Sequence, residues 1–223
     1  MMITYVMEDY LKTIYQLQEG EEKVSTSAIS KKMNVSAPSV TGMIRKLRSM
    51  GLIDHTSYQG VELTEGGAKI AREIIRHHRL LELYLVEIME FSWDNVHEEA
   101  DRLEHVISEE FEEKINEALG NPTTDPHGHA IPTKDGALND VSCETLAEVE
   151  PGNSVTVRHV NDNNPDMLRY LANLGLVPGI LVQVMTKAPF NGPLCLRIDQ
   201  AEHHVGREVA FNVFVELANR EAN

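Results

Sequence analysis

Residues 26–63 carry a short helix, a tight turn, a capped helix and a glycine-turn hairpin in immediate succession, and few folds accept that order. SAISKKMNV keeps Ala28, Ile29 and Met33 on one side of a short helix and ends at Asn34, a residue suited to the turn that follows. Ser36 then opens SAPSVTGMIRKLRSMG as a longer helix. Its hydroxyl is suited to capping, Pro38 is tolerated in the first turn, and Gly51 supplies the stop. Val40, Ile44 and Leu47, at i, i+4 and i+7, form the core side. LIDHTSYQGVELT reads as two short strands around a Tyr58-Gln59-Gly60 turn. An earlier helix over 7–18 places Met7, Tyr10, Leu11, Ile14, Tyr15 and Leu17 on an apolar stripe. Together these predict a winged helix-turn-helix.

Charge supports that reading only when it is divided along the chain. The net charge of −15 argues against a polyanionic partner, yet residues 1–72 hold nine basic against eight acidic side chains, and the remainder 11 against 27. Within 25–58 five basic residues face one acid, Asp54. A small basic face on an acidic body is expected, and attraction to phosphate depends on the local face. Ser36, Ala37, Pro38, Ser39 and Thr41 are short enough to approach base edges in a major groove. Arg45, Lys46 and Arg48, with Lys31 and Lys32 on the preceding helix, are expected to meet phosphates, and Tyr58 to touch the backbone from the wing or shape its turn.

From Glu65 to about Phe91 the helical period continues, and LLELYLVEIM is apolar on more than one face, so that helix must bury two sides. Its own core on one side and a second copy of the chain on the other explain this, which makes a homodimer the expectation. A second helix is predicted from about Asp94 to Leu119, ended by Gly120-Asn121-Pro122. Residues 121–140, rich in Pro, Gly, Asp and Asn, read as a long connector carrying Asp125, His127 and His129. Beyond it VTVRHV, GILVQVM, LCLRI and FNVFVEL read as short strands, with a helix at 165–174 ended by Gly175. The expected fold is therefore mainly α with a β domain: a winged helix-turn-helix over 1–72, a helical dimerisation and metal-binding domain with its connector over 73–140, and a small β-barrel over 141–223.

Cys143 and Cys195 stand apart, with no CxxC, so a disulfide framework is not expected. Charges at Glu8 and Asp9 precede any hydrophobic run of signal-peptide length, and no membrane span is expected, since Glu82 and Glu87 interrupt the most apolar helix. A cytoplasmic location follows as an expectation.

HEEADRLEH, read as a helix, gathers His97, Asp101, Glu104 and His105 along one stripe at i, i+4, i+7 and i+8. Imidazoles and carboxylates without a thiol suit Mn(II), Fe(II) or Zn(II). Taken alone, the stripe equally suits a solvated polar face. His78 and Glu82, at i and i+4 on the preceding helix, and Asp9 on the first, extend the candidate set. His55, His77, His203 and His204 are expected to be structural or solvated.

The segments MEDYLKTIYQL, SAPSVTGMIRKLRSMGLI, IRHHRLLELYL and VHEEADRLEHVIS resemble the diphtheria toxin repressor family of metal-dependent transcriptional repressors. NLGLVPG and APFNGPLCLRI are similar to its carboxyl-terminal SH3-like domain, also found in ferrous-iron transport accessory proteins. The resemblance spans nearly the whole chain in the family's domain order. It implies a regulatory metal site at Asp9, Asp101, Glu104 and His105, and an ancillary one at His78, Glu82 and His97. In the iron-sensing branch the positions of Asp9 and Asp101 are commonly Met and Cys, so two carboxylates here resemble the manganese-sensing branch. That implies Mn(II) as co-repressor, Fe(II) second, with Zn(II) or Co(II) able to substitute in vitro, and metal-uptake genes as targets. Two-domain manganese sensors carry a Glu where this chain has Lys12, so their binuclear centre does not transfer. Longer manganese sensors complete the ancillary site from the connector and third domain, which points here to Asp125, His127 and Asp162.

The mechanism so implied is allosteric. A cation joins the reading head to the helical body, and in its absence the carboxylates repel and the modules move more freely. A metallohydrolase is the rival class, but no HExxH, nucleophile elbow or poised general base is present. A protein-binding module, in which the barrel takes a peptide or the chain's own linker, is the other; self-association or a purely structural role are further readings of the barrel.

Overall fold

In the computed structural model, which describes residues 3–18, 23–56, 60–138 and 143–218, Ser36 opens a helix as its sequence context predicts. The chain forms two compact units, one drawn from residues 1–78, 102–112 and 132–138, the other from 79–101, 113–131 and 139–223.

The first unit begins with α1 (Tyr5–Gln18), α2 (Thr26–Met33) and α3 (Ala37–Ser49). Ser25 Oγ accepts from the Ala28 amide at 3.1 Å to cap α2, and Asn34 closes that helix in the left-handed region at φ 53°. Ser36 Oγ accepts from the Ser39 amide to cap α3, with Pro38 in its first turn, and Gly51 follows at φ 70°. Met7, Tyr10, Leu11 and Ile14 of α1 pack with Ile29, Val40, Ile44 and Leu47 in one core, and Tyr15 and Leu17 lie partly buried against it. Each fully buried Leu or Ile there contributes about 1.5–3 kcal/mol. Truncating the fully buried Leu47 to Ala costs about 2–5 kcal/mol.

The wing is β1 (Ile53–Thr56) and β2 (Gly60–Leu63), antiparallel with Ile53 opposite Leu63 and Thr56 opposite Gly60. Val24 pairs with Val61 through two backbone bonds and tethers the start of the helix-turn-helix to the hairpin. Gly60 sits at φ 110°, where a Cβ would meet the Val24 carbonyl oxygen at 2.8 Å. Tyr58 and Gln59 lie outside the described residues.

Two helical expectations need correction. The helix after the wing is α4 (Glu65–Glu87), which stops short of Phe91, with Glu90 at φ 58° beyond its end. The expected helix over 94–119 is two helices, α5 (Val96–Leu103) and α6 (Glu109–Ala118), with a turn between them. Ser108 makes the break: its Oγ accepts from the Phe111 amide at 3.2 Å, and Glu109, Glu110 and Glu112 fill the first turn of α6 where the helix dipole favours acids. His97 and Asp101 therefore lie on α5, whereas Glu104 and His105 lie in the turn, not on a continued stripe.

In the second unit an antiparallel sheet runs in the order β3 (Glu144–Thr145), β8 (Val213–Leu217), β4 (Ser154–Val160), β5 (Leu181–Lys187), β6 (Leu194–Ile198), β7 (Ala201–Val205). Alternate residues, among them Val155, Val157, Val182, Val184, Leu194, Leu196 and Val215, turn into one core. α7 (Pro165–Leu174) covers that core with Leu168 and Leu171, and α8 (Arg207–Ala210) adds Ala210. Asn164 Oδ1 caps α7 at the Asp166 and Met167 amides, and Gly175 ends it at φ 75°, as the sequence predicts. Register shifts in β4 between Val157 and His159, and in β5 between Val184 and Thr186, bend the sheet.

The connector has local structure of its own. Asp125 Oδ1 accepts from the amides of His127 and His129 at 2.8 and 2.9 Å, folding 125–129 into a tight loop. Gly128 stands at φ 92°, where a Cβ would collide with the Arg158 carbonyl oxygen. This loop is built to lie against β4, where the Val160 amide donates to the His127 carbonyl at 3.0 Å.

Candidate metal centre

Asp9 stands on α1, and Glu104 and His105 stand in the turn after α5, yet one ligand atom from each lies within 4.8 Å of the others. His105 Nε2 is 2.8 Å from Asp9 Oδ1 and 3.4 Å from Glu104 Oε1. Its Nδ1 is 2.8 Å from Glu8 Oε2, and the Tyr5 ring stacks on the imidazole at 5.2 Å. Glu8 and Tyr5 are contacts that the sequence did not single out, although both lie on the first turns of α1 beside Asp9.

Burial pushes the Asp9 carboxyl above its ordinary value and Glu104 adds to the rise, while His105 and Lys12 oppose it. Two carboxylates and an imidazole, one carboxyl raised by burial, fit a hard or borderline divalent cation, whose charge would compensate that desolvation.

Glu104 is 1 % exposed and has further partners. Lys12 Nζ donates to Glu104 Oε2 at 2.7 Å and Oε1 at 3.0 Å, and lies 3.1 Å from His78 Nδ1. His78 Nδ1 is itself 2.5 Å from Glu104 Oε2, so this expected ancillary ligand sits beside the Asp9 group. Lys12 lies on Glu104, and His105 lies between Glu8 and Asp9.

Beside the group lies a buried pair. Arg76 Nε donates to Glu112 Oε1 at 2.5 Å, Arg76 Nη1 donates to the Pro132 carbonyl at 2.7 Å, and His77 Nδ1 lies 3.0 Å from the Glu104 carbonyl.

A second group lies in the other unit, where ligand atoms of Glu82, His127 and Asp162 fall within 4.8 Å of one another. His127 Nε2 lies 2.8 Å from the Trp93 carbonyl, which can accept only from an N–H there. Its Nδ1, fully buried, has no hydrogen-bond partner among the described residues and stands 3.6 Å from Glu82 Oε2. Burial works against a charged imidazole, but Glu82, then Asp125 and the Trp93 carbonyl, raise the His127 value to about 9. An orphaned buried nitrogen facing a carboxylate, with its tautomer set by a backbone carbonyl, fits a metal ligand.

His97 Nδ1 is 3.1 Å from Glu82 Oε1, and its Nε2 is 3.7 Å from Asp101 Oδ2. Asp125 is engaged elsewhere: Oδ1 caps its own loop, and Oδ2 is 3.2 Å from His129 Nδ1 and 3.8 Å from Arg79 Nε. His129, which the connector sequence displayed without a role, also lies 3.8 Å from Asp162 Oδ2 and packs on His159, which stacks on Phe214. Burial alone would lower the His129 value, but the Asp125 and Asp162 carboxylates raise it.

On α3, Ser36, Ala37, Pro38, Ser39, Thr41, Arg45 and Arg48 are exposed and Lys46 is half-buried, while Val40, Ile44 and Leu47 face the core. Lys31 and Lys32 are exposed at the end of α2. The short side chains hold one another: Ser36 Oγ is 2.9 Å from Ser39 Oγ, and Thr41 Oγ1 donates to the Ala37 carbonyl. That leaves a low surface at the start of α3 flanked by basic residues. Among the described residues, no helix is long and apolar enough to cross a membrane.

Comparison with known proteins places three family descriptions along the chain. Residues 2–61 match "Iron dependent repressor, N-terminal DNA binding domain", 64–133 match "Iron dependent repressor, metal binding and dimerisation domain", and 144–217 match the FeoA domain. The iron-dependent repressor IdeR of Mycobacterium tuberculosis is 34% identical over 191 residues, covering 80% of this chain and 83% of that protein. Among solved structures, a manganese-dependent transcriptional repressor in complex with manganese has a TM-score of 0.89 at 36% identity, covering 95% of this chain and 100% of that one. ScaR with bound Cd2+ has a TM-score of 0.81 at 33% identity, covering 95% of this chain and 99% of its own. With its three segments matched in order and such a relative covered over most of its length, the chain belongs to the diphtheria toxin repressor family of metal-dependent, DNA-binding transcriptional repressors.

Proposed function

We propose that this protein is a cytoplasmic, homodimeric repressor of metal-uptake genes that takes Mn(II) as its co-repressor. The observation that carries the reading is the meeting of Asp9, from the first helix of the reading head, with Glu104 and His105 of the turn after α5. Asp9, Glu104 and His105, with Asp101, are the proposed regulatory ligands, and Glu82, His127 and Asp162, with His97, the proposed ancillary ones. His78 and Asp125 are proposed to support them, His78 beside Glu104 and Asp125 as the residue that shapes the His127 loop.

A bound divalent cation supplies the positive charge that makes close approach of these carboxylates favourable. Asp9 then holds the N-terminal end of α1 against the turn, and through the shared core it holds α2 and α3 at one angle. Two copies so held present two α3 helices to successive major grooves. Ser36, Ala37, Pro38, Ser39 and Thr41 read base edges, while Arg45, Lys46, Arg48, Lys31 and Lys32 contact phosphates. Tyr58 is assigned to the wing from sequence alone.

Oxygen-rich donors without a thiol favour Mn(II), and the manganese-dependent repressor above supports that choice. Fe(II) is the second reading, favoured by the name of the IdeR relative. The test is operator binding under anaerobic conditions with Mn(II), Fe(II), Zn(II) and Co(II) in turn. Binding that is strongest with Mn(II) and abolished by chelator is expected. Operator affinity indifferent to every metal would overturn the reading.

A further inference from the structure

Lys12 occupies a singular position. One turn along α1 from Glu8, its ammonium lies 2.7 and 3.0 Å from the two oxygens of Glu104 and 3.1 Å from His78 Nδ1. The Lys12 side chain is 12 % exposed and that of Glu104 1 % exposed, so the contact is largely shielded from water. A two-pronged contact from a compact cation to a buried carboxylate, with an imidazole nitrogen beside it, follows the pattern by which such a carboxylate engages a metal ion.

We propose that Lys12 is a tethered counter-cation for Glu104, which competes with a metal ion for that carboxylate and so sets the threshold that metal must overcome. The proposal rests on the metal-dependent reading above and deepens it.

Two observations converge on it. Glu104 is buried, and the Lys12 ammonium donates to both of its oxygens. Asp9 stands three residues earlier on the same helix, so any cation drawn to Asp9, Glu104 and His105 arrives beside a resident positive charge. That charge repels a divalent ion at a few ångströms and also competes for the oxygens of Glu104. An acidic side chain at this position would attract a second ion, whereas Lys12 fills that place with its own charge. The consequence is a single ion at the regulatory group and a weakened affinity for it, so that the repressor answers only when metal is plentiful.

The test uses the full chain and Mn(II) alone. Lys12→Met keeps the length of the side chain and removes the charge; Lys12→Arg keeps the charge. Lys12→Met should bind Mn(II) at the regulatory group about tenfold more tightly by calorimetry. Its metal-free form should melt at a lower temperature than the wild type, because a buried carboxylate has lost its cation. Lys12→Arg should stay within about threefold of the wild type in affinity. Unchanged or weaker Mn(II) binding by Lys12→Met would overturn the proposal, since a merely structural lysine gives a loss of stability with no gain in affinity.

Should Lys12→Met not fold, the wild-type protein serves by itself. The 15Nζ resonance of a hydrogen-bonded Lys12 ammonium should be visible without metal and should move on saturation with diamagnetic Cd(II). A resonance indifferent to Cd(II) would equally overturn the proposal. Absence of any Mn(II) uptake by the wild-type chain would overturn the metal-dependent reading itself, and this proposal with it.

Discussion

Arg76 and Glu112 form a buried ion pair, Nε to Oε1 at 2.5 Å, that ties the first turn of α6 to α4. The His77 imidazole, 3.3 Å from Glu112 Oε2, and then the Arg76 guanidinium hold the Glu112 carboxyl down at about 2, against the opposing effect of burial. Burial would lower His77, but Glu112, the Glu104 carbonyl and Glu73 raise it above its ordinary value.

The signs of these two shifts fix a pH window. Stability from ionised Glu112 is complete above its ordinary value of 4.5 and is lost as pH falls toward about 2. Stability from charged His77 is complete below 6.5 and is lost as pH rises through its raised folded value. The contribution of the network is therefore largest between 4.5 and 6.5. Glu112→Gln should lower stability by about 3 kcal/mol, because Arg76 is left buried without its partner. The difference between wild-type and variant unfolding free energies, measured in chelator across pH 2 to 8 (a range of about 6 units), should shrink toward the acid end; a difference independent of pH would contradict the assignment.

Asp9→Ala should leave the helix-turn-helix folded, since the side chain is outside the α1 core, and should remove most of the metal response. Metal normally strengthens operator binding on the order of 5- to 150-fold in such coupled systems. Fluorescence anisotropy with labelled operator should show that factor collapse toward one in the variant. A full response in Asp9→Ala would exclude Asp9 as a ligand.

His127→Ala should remove Mn(II) binding at the Glu82 group and spare that at the Asp9 group, because the two groups have no ligand in common. Calorimetric stoichiometry read alongside the operator response separates the two. Loss of both binding events together would show that the groups are not independent.

Arg45→Ala and Thr41→Ala should differ in kind. Arg45, exposed on α3, is expected to contact phosphate, so its loss should weaken all sequences alike and reduce the salt slope by about 0.9. Thr41, near the start of the same face, should cost about 1–3 kcal/mol on the cognate site and little on others. Equal effects on cognate and random DNA for both variants would overturn this division.

How much was legible follows from how local each signal is. Ser36, Pro38 and Gly51 act within one turn of their own backbone, and α3 starts and stops where they say. Gly175 ends α7 in the same way. Ser108 is as local, with acids after it, but the polar stripe running through 97–105 suggested continuity and masked the break. Glu104 and His105 stand out by residue type and spacing and Asp9 joins them through the family resemblance, whereas the partners of Glu104 could not be named. Lys12 precedes it by 92 positions, and nothing in the intervening sequence states that the two meet. Asp125 shows a further limit: its type suits a ligand, while its acceptance from the amides of His127 and His129, which shapes their loop, was not read from the sequence.

The interruption between α5 and α6 bears on ion choice. Glu104 and His105 hang on a short bend bounded by two helix ends, so a few torsions there can change without unwinding either helix. Were Glu104 and His105 to hold an ion as proposed, a cradle suspended in this way would adapt to ions of unequal radius. For the proposed regulatory site, donor hardness and local charge are then expected to weigh more in ion choice than rigid size exclusion.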